Sequence, residues 1–468
     1  MAIILETKLL EGIEKAVQKA KELNTSVLFS KVIKVQALSP LSFYIAGREQ
    51  FLGERLFWQE PTSETAIVGL GRVEKLQTNP DNHRYSNIEK EWQDLLNNSV
   101  IQCEKEIPMT GPILFGAFSF DYNKSQSLLW DHFGDNFFYV PRYMISNMNN
   151  ETYFTTNIIC SPGEDVNRFI KAFEIGEQLW QAAHRNVSFD ENVLMKKKEV
   201  DPNQWKQQVA DAVKTLKSSS MDKIVLAREL RLTYQQPISS DAVLDHLLKE
   251  HTSSYIYSLE SASDCFIGAT PERLVKKEDN HVLSTCLAGS IARGKTEVED
   301  AALGNQLLTD PKNLIEHQYV VTMIKNVLQP LCKELNVPNS PVLMKLKHIQ
   351  HLFTPVTAVC SDHISIIDLV KNLHPTPALG GLPQLEAVKW IREHESLERG
   401  LYGGPIGWVD AYGNGEFAVA LRNALLQGKE ASLFAGCGIV EDSNPEDEYQ
   451  ETWIKFKPML NALGGDLS

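Results

Sequence analysis

A mixed fold of α-helices and β-strands is predicted by three features of this 468-residue sequence. The apolar fraction of 43% and the charged fraction of 23% are typical of an ordinary soluble globular protein. Runs rich in aromatic and β-branched residues near Gly, Pro or Asn predict strands, and apolar residues at helical spacing predict helices. By length alone, the chain forms two or three domains or one large unit.

The charge balance argues against two classes of partner. The chain has 46 basic and 60 acidic residues and a formal net charge of −14. A general nucleic-acid or anionic-membrane surface is not expected, because neutralising phosphates requires clustered Lys and Arg. A small anionic substrate is still compatible with this balance, since one site can be locally positive.

No targeting or membrane segment is expected from the apolar pattern. Residues 1–23 alternate charged and apolar residues, and no stretch elsewhere approaches the length of a membrane span. The seven cysteines are scattered and never spaced as C-x-x-C. This pattern predicts reduced thiols, a cytoplasmic protein and no cysteine metal ligands.

The first 200 residues combine predicted helices and strands. Helical spacing predicts helices over 5–23 and 166–184. The predicted strands cover 26–35, 41–46, 54–59, 65–71 and 111–121. The basic run at 196–202 is interpreted equally well as a domain boundary or as a surface loop.

The patterns are sharper after residue 203. They predict a helix over 204–217 and a strand over 223–232. Asp310 and Pro311 are typical of a helix start, with Asp at the cap and Pro at the first helical position. Gly413-Asn414-Gly415 predicts the tight turn of a hairpin between strands over 406–412 and 416–425.

The stretch from Gly436 to Lys455 is the most informative for function. Its order suggests a strand, a glycine corner and a helix start. On that helix, Glu448, Glu451 and Lys455 stand at i, i+3 and i+7, so they share one face. Neighbouring carboxylates repel unless a cation lies between them, although an acidic solvated face is the commoner explanation.

A second acidic helix carries Glu316 at the border of an apolar stripe. A carboxylate at such a border is costly to desolvate unless a cation compensates it. Glu316 and Glu451 could therefore share a Mg²⁺ ion, because this hard ion prefers oxygen ligands and keeps some water. The alternative is that Glu316 pairs with a Lys or Arg. The neighbouring His317 is expected to be a hydrogen-bonded core residue.

Two residues are candidates for proton transfer. Lys223 lies early in a predicted strand with apolar neighbours, where burial or nearby positive charge favours the neutral amine that a base requires. A strand lysine that reaches out to solvent is the alternative. Glu272 lies in a turn after a proline, from which a carboxyl group could donate a proton, although Glu after Pro is also an ordinary helix start.

Several further residues could bind an anion. Gly289 and Gly438 lie in glycine-containing turns that offer backbone N–H groups at close approach, with Ser290 beside the first. Arg422 is predicted to lie in the hairpin strand with Ala418 and Ala420 on its face, which leaves room for a carboxylate on its guanidinium. An internal salt bridge would explain Arg422 equally well. Tyr402 and His374 complete the polar set.

Taken in chain order, eight motifs resemble the chorismate-utilising enzymes, and within them the isochorismate synthases of the menaquinone branch. They are K-I-V-L-A-R at 223–228, A-T-P-E at 269–272, L-A-G-S at 287–290, K-N-L-I-E-H at 312–317, the His374 motif, Y-G-G-P-I-G at 402–407, Arg422, and the stretch from Gly436 to Lys455. The resemblance is strong over 203–460 and loose before that, through 111–121.

The resemblance implies an α+β fold of large antiparallel β-sheets packed face to face with helices on the outside. Residues 1–200 would be intertwined with a chorismate-binding catalytic region at 203–460. The implied partner is a small molecule, chorismate, with Mg²⁺ as cofactor, and neither nucleic acid nor membrane. The sequence does not indicate an oligomeric state.

The resemblance also implies a role for each site residue. Lys223 would activate the water that attacks C2 of chorismate, and Glu272 would protonate the departing C4 hydroxyl. Glu316 and Glu451 would hold Mg²⁺, with Glu448 nearby or acting through water. The residues implied to bind substrate carboxylates are Tyr402, Arg422, Gly438 and Lys455, and those implied to line the ring are Gly289, Ser290 and His374.

Two departures from the family pattern refine this expectation. Asn313 stands where some relatives carry a second Glu, so the outer metal shell is expected to be thinner. Relatives that form anthranilate or salicylate share a Thr near the position that Ala378 occupies here. In this chain Leu-Gly-Gly-Leu-Pro follows Ala378, which favours a reaction that stops at isochorismate. The alternatives are a siderophore-branch isochorismate synthase, a salicylate, anthranilate or aminodeoxychorismate synthase component, or an inactive chorismate-binding relative.

Overall fold

The structure, a computed structural model, describes residues 7–61, 64–124, 128–185, 189, 192–346 and 349–465. The helices in these ranges are α1 Thr7–Leu23, α2 Pro40–Ala46, α3 Arg48–Phe51, α4 Arg84–Asn97, α5 Asn167–Ala182, α6 Pro202–Ser218, α7 Ser240–Glu250, α8 Glu297–Thr309, α9 Pro311–Leu328, α10 Ile366–Leu373, α11 Gln384–His394 and α12 Pro445–Ala462, with a short 3₁₀ helix at Leu128–Trp130.

The strands belong to one hydrogen-bonded network. They are β1 Val27–Val35, β2 Arg55–Gln59, β3 Ala66–Leu76, β4 Val100–Gln102, β5 Ile113–Phe118, β6 Asn136–Met148, β7 Glu151–Cys160, β8 Leu194–Glu199, β9 Lys223–Tyr234, β10 Tyr255–Ser261, β11 Asp264–Thr270, β12 Arg273–Glu278, β13 His281–Ala292, β14 Cys332–Asn336, β15 Val342–Lys345, β16 Ile349–Cys360, β17 Gly381–Leu382, β18 Pro405–Asp410, β19 Gly415–Val419, β20 Asn423–Gln427 and β21 Glu430–Ile439.

Strand β6 joins two runs of this network, because it pairs with β3 and β7 in one run and with β5 in the other. The first run has the order β4-β1-β7-β6-β3-β2-β10-β11-β20-β21-β9-β8. The second continues from β5 through β18, β19, β12, β13 and β16. Among the described pairings only β1 with β4 is parallel. The predicted antiparallel architecture is confirmed.

The two runs pack face to face over a buried aromatic cluster. Trp58 of β2 meets Phe115 of β5 with ring centroids 6.1 Å apart, and the same cluster includes Tyr257 of β10 and Trp408 of β18. Edge-to-face pairs of this kind add to the free energy of burying large rings. Strands before residue 200 pair with later strands at β2–β10, β5–β18 and β8–β9. No helix in the described ranges is long and apolar enough to cross a membrane.

Most predicted elements after residue 203 are confirmed, and the helix caps explain why. The Asp310 side chain accepts a hydrogen bond from Asn313 N at 2.8 Å, and Pro311 opens α9. Asn444 accepts from the backbone N–H groups of Glu446 and Asp447 at the start of α12. Such caps satisfy backbone donors that the helix itself leaves unpaired.

Two predictions before residue 203 are wrong. The stretch predicted as a strand over 41–46 lies in α2, because Ser39 caps Ser42 N and Pro40 occupies the first turn. These local start signals outweigh the β propensity of the aromatic residues. The surface loop offered as one explanation of 196–202 is instead strand β8 followed by the start of α6.

Three predictions in the C-terminal region also need correction. The second hairpin strand ends at Val419, and Arg422 lies between β19 and β20 with a positive φ of 49°. The glycines at 436 and 438 lie inside β21 and do not form a corner. Cys332 and Cys360 form a disulfide, because β14 and β16 place them directly opposite each other, which scattered spacing cannot reveal.

Candidate active site

Lys223 is the first residue of β9 and is almost fully buried. Its Nζ forms an ion pair with Oε1 of Glu316 on α9. The side chain lies over Gly438 of β21, where an added Cβ would be 2.4 Å from Lys223 Cε and 2.9 Å from Nζ. Glycine at 438 therefore provides the space that the lysine occupies.

Glu316 takes its position from α9, whose cap fixes where the helix begins. Burial raises the pKa of its carboxyl group, but the Lys223 and Lys455 ammonium groups outweigh burial, so the pKa lies below its ordinary value. The neighbouring His317 is buried, with Nε2 2.7 Å from Thr354 Oγ1 and Nδ1 3.0 Å from Ala288 O. The prediction of a hydrogen-bonded core histidine is confirmed.

Helix α12 presents Glu451 and Lys455, which form an ion pair of 2.6 Å. Lys455 Nζ also donates to Gly436 O at 2.8 Å, which ties the helix to β21. Lys455 is the main reason that the pKa of Glu451 is lowered, and Arg422 and Lys223 act in the same direction against the effect of burial. Glu451 is therefore ionised and close to the Lys223–Glu316 pair.

Glu448 lies one turn earlier on α12 and points to the preceding loop. Its Oε1 accepts a hydrogen bond of 2.6 Å from Ser443 Oγ. Burial raises the pKa of this carboxyl group, and the charge of Glu451 raises it further.

Glu272 lies between β11 and β12 and is 6% exposed. Burial raises the pKa of its carboxyl group to about 7, although Arg422, Lys223 and Lys455 all lower it. The group is thus poised between its neutral and charged forms near neutral pH, which is a property of many general acids. It faces the same three cations as Glu451.

Arg422 places a guanidinium group among these acids. In the part of the chain that the structure describes, it forms no ion pair, and its charge acts on Glu272, Glu451 and Tyr402. Burial raises the pKa of Tyr402 to about 12, so its hydroxyl keeps its proton, and its ring stacks on Phe434. The two side chains are therefore free to donate hydrogen bonds to an anion.

An open cavity of about 670 Å³ leads from solvent to Lys223 and Glu316. Lys312, Ile315 and Tyr319 of α9 line it on one side, and residues 440–442 line it on another. A small polar ligand can therefore reach the part-buried Lys223–Glu316 ion pair from this direction.

The family whose sequence profile matches residues 15–464 is described as chorismate binding enzyme. The chain belongs to the chorismate-binding enzyme family. It is 44% identical over 458 residues to isochorismate synthase MenF of Bacillus subtilis, and the match covers 96% of each chain. It is 35% identical over 461 residues to the salicylate biosynthesis isochorismate synthase of Pseudomonas aeruginosa, covering 97% of this chain and 94% of that one.

Solved structures confirm the fold. The menaquinone-specific isochorismate synthase MenF of Escherichia coli superposes with a TM-score of 0.78 at 22% identity, covering 97% of this chain and 100% of that chain. A putative 2,3-dihydroxybenzoate-specific isochorismate synthase, DhbC, of Bacillus anthracis gives a TM-score of 0.71 at 27% identity, covering 91% and 100%. The resemblance inferred from the motifs is confirmed.

The family resemblance implies Mg²⁺, and the carboxylates fit this ion in part. Glu316 and Glu451 are ionised and act on each other's charge, and carboxylate oxygens are ligands that hard cations prefer; the Glu316 side chain is half-buried and that of Glu451 is exposed. Each carboxylate is paired with a lysine, and Glu448 is turned towards Ser443. Within the described ranges no group of three or more His, Cys, Asp or Glu side chains is arranged to hold a metal. The metal site stays a prediction.

His351 of β16, which the sequence analysis did not single out, contacts the candidate site residue Ser290. Its Nδ1 lies 2.6 Å from Ser290 Oγ, and its Nε2 has no hydrogen-bond partner among the described residues. Burial, with Arg422 and Lys455, lowers the pKa of His351 to about 3, so the ring is neutral. Gly289, at φ 80° in a bulge of β13, brings the Ser290 backbone to this histidine. No motif around residue 351 indicated this contact.

The side-chain contacts described for His374 are with Phe120. Its Nε2 lies 3.0 Å from Phe120 O. Burial, with help from Arg84 and Arg399, lowers the pKa of His374 to about 3. No contact described for this histidine reaches Lys223, Glu272 or Arg422, so its contribution to binding the ring stays a prediction.

Proposed function

We propose that this chain is a Mg²⁺-dependent isochorismate synthase, an isomerase that converts chorismate to isochorismate. One observation carries the proposal. A buried carboxyl group with a pKa of about 7, Glu272, lies in the same charge cluster as the buried amine of Lys223. Moving a hydroxyl group from C4 to C2 requires a proton acceptor and a proton donor on separate groups.

The proton movements balance with these two side chains. Lys223 accepts a proton from water as the water oxygen bonds to C2, and the ring double bonds shift. The C4–O bond breaks as Glu272 donates its proton to the departing hydroxyl group, which leaves as water. One water is consumed and one is released, so the product is an isomer of the substrate.

The charges around the ring suit a dianion. Arg422 and Lys455 supply cations for the two substrate carboxylates, and arginine can hold a carboxylate through two parallel hydrogen bonds. The Tyr402 hydroxyl, which keeps its proton, can donate a further hydrogen bond. These groups bind and orient the ring between Lys223 and Glu272.

Glu316 and Glu451 are the side chains that would hold Mg²⁺, with Glu448 acting directly or through water. The ion supplies a positive charge that orients and neutralises a substrate carboxylate. To serve as a ligand, Glu316 has to turn away from Lys223, and the Lys223 ammonium has to release a proton to solvent before its amine can accept one from the attacking water.

The decisive experiment is a product assay on the purified protein. Chorismate and Mg²⁺ are supplied with and without ammonia, and the products are separated from chorismate by chromatography and then identified by mass. Isochorismate keeps the mass and the enolpyruvyl group of the substrate, whereas pyruvate loss or nitrogen incorporation would identify another chemistry. Lys223→Ala and Glu272→Gln are expected to abolish turnover with unchanged circular dichroism, and robust activity in either variant would refute this acid–base pair.

The route that uses the product is proposed from the relatives. The Escherichia coli structure is called menaquinone-specific, and the full-length match to the Bacillus subtilis enzyme supports the same branch. The Pseudomonas aeruginosa relative is named for salicylate biosynthesis. Loss of menaquinone after deletion of the gene would support the first branch, and loss of a siderophore with normal menaquinone would favour the second.

A further inference from the structure

Arg228 is a buried arginine that the proposed chemistry does not use. It lies on β9 five residues after Lys223, and side chains alternate along a strand, so the two residues face opposite sides of the sheet. Its guanidinium lies against four aromatic rings. The distances from Cζ to the ring centroids are 4.3 Å for Tyr449, 5.0 Å for Trp453, 5.1 Å for Phe456 and 6.0 Å for Trp205.

Two directional hydrogen bonds fix this guanidinium. Nε donates to Thr452 Oγ1 at 2.7 Å, and Nη1 donates to Glu199 Oε2 at 2.8 Å. The same carboxylate oxygen accepts from Tyr449 Oη at 2.6 Å. Strands β8 and β9 therefore hold α12 at two positions about one turn apart, Tyr449 and Thr452.

The anchored residues and the site residues of α12 are offset by one position. Glu448, Glu451 and Lys455 belong to the site, and Tyr449, Thr452 and Phe456 contact Arg228. One residue corresponds to about 100° around the helix, so the two sets lie on adjacent faces. A rotation of α12 by about 10° would move a carboxylate about 6 Å from the axis by about 1 Å. Displacements of that size matter at a reacting centre.

We propose that Arg228 is a positioning residue that fixes the rotation of α12 and thereby places Glu451 and Lys455 opposite Lys223 and Glu316. Stability alone does not call for an arginine here, because desolvating a guanidinium is costly and an apolar side chain could fill an aromatic cage. An arginine adds hydrogen bonds of fixed direction, because its guanidinium group is planar and its donors are held in a rigid fork.

The inference rests on the proposed Mg²⁺-dependent function, and its test reads metal binding directly. Binding of Mg²⁺ is measured by titration calorimetry in wild-type protein and in Arg228→Met, together with KM for chorismate and thermal stability. Losing a residue that orients metal ligands is expected to weaken Mg²⁺ binding about tenfold. Because Lys455 moves with Glu451, KM is expected to rise as well. Arg228→Lys, which keeps the charge and loses the planar fork, should not restore binding.

Arg84→Met is the matched control. Arg84 is also buried, pairs with one acid, Asp135, and lies against the rings of Tyr85, Phe118 and Tyr122, but it does not touch α12. We expect it to lower thermal stability while leaving the Mg²⁺ dissociation constant unchanged. Thr452→Val removes the acceptor of Nε and keeps Arg228, so it tests the same contact should Arg228→Met fail to fold.

The outcomes separate this inference from the function on which it rests. Tight Mg²⁺ binding by wild-type protein that persists in both Arg228→Met and Thr452→Val would overturn the positioning role. Equal weakening in Arg84→Met would overturn it too, because the effect would then be general destabilisation. Absence of Mg²⁺ binding in wild-type protein would overturn the proposed metal and this inference with it.

Discussion

Replacing Glu272 with glutamine should stabilise the protein in a pH-dependent way. The pKa of this buried carboxyl group is raised from 4.5 to about 7. Between these values the unfolded chain has lost the proton that the folded protein keeps, so wild-type stability falls as pH rises and levels off above pH 7. Glutamine stays neutral throughout. A shift of about 2.5 units corresponds to about 3 kcal/mol in the free energy of unfolding.

Thermal unfolding at a series of pH values measures this difference. For 468 residues the unfolding entropy is about 1 kcal/mol per degree, so Glu272→Gln should gain about 3 °C over wild type between pH 4 and pH 8. Glu11→Gln, at an exposed position on α1, controls for the loss of a carboxylate as such. A constant difference in melting temperature across this range, or a wild type favoured at pH 8, would show that Glu272 is ionised in the folded protein and cannot serve as the proton donor.

Three further measurements bear on the site and its supports. Because a general acid must carry its proton, kcat/KM should fall above about pH 7, where Glu272 of the free enzyme ionises, and a flat profile up to pH 9 would contradict its role. Gly438→Ala should lose most activity, since the new Cβ would displace Lys223, whereas Gly176→Ala in α5 should stay active and serves as the control. Asn444→Ala should cost about 1 kcal/mol of stability by removing the cap of α12, and an unchanged melting temperature would refute that contribution.

Local signals predicted the fold after residue 203 well. The capping Asp310 with Pro311, and the turn at 413–415, specify where their elements begin and reverse, because each satisfies backbone geometry within a few residues. The strand predicted over 41–46 is wrong because a local signal, a helix cap, determines the structure of that stretch as well. There the Ser39 cap was a start signal that the aromatic content of the stretch concealed.

Contacts between residues that are far apart in the sequence could not be predicted from the sequence. Two backbone features depend on contacts between strands. They are the positive φ of Arg422, just before β20, and the position of Gly438 inside a strand beside Lys223 of β9. No local motif marks His351, because its contact with Ser290 depends on the pairing of β13 with β16. The ion pair between Lys223 and Glu316 was weighed only as a general alternative, since the sequence could not say which cation would face that carboxylate.

The charged side chains of the candidate site have two possible sets of partners, which are one another or a dianion together with a divalent cation. Three cations, Lys223, Arg422 and Lys455, face the ionised Glu316 and Glu451, and Glu272 is neutral below pH 7. A dianion with a divalent cation adds no net charge to this set, whereas either one alone would add two like charges beside groups of its own sign. In the structure Lys223 pairs with Glu316, and Lys455 pairs with Glu451. Because exposed charges are screened over about 10 Å, this local balance, and not the overall charge of −14, determines the electrostatic potential that a ligand meets at these side chains.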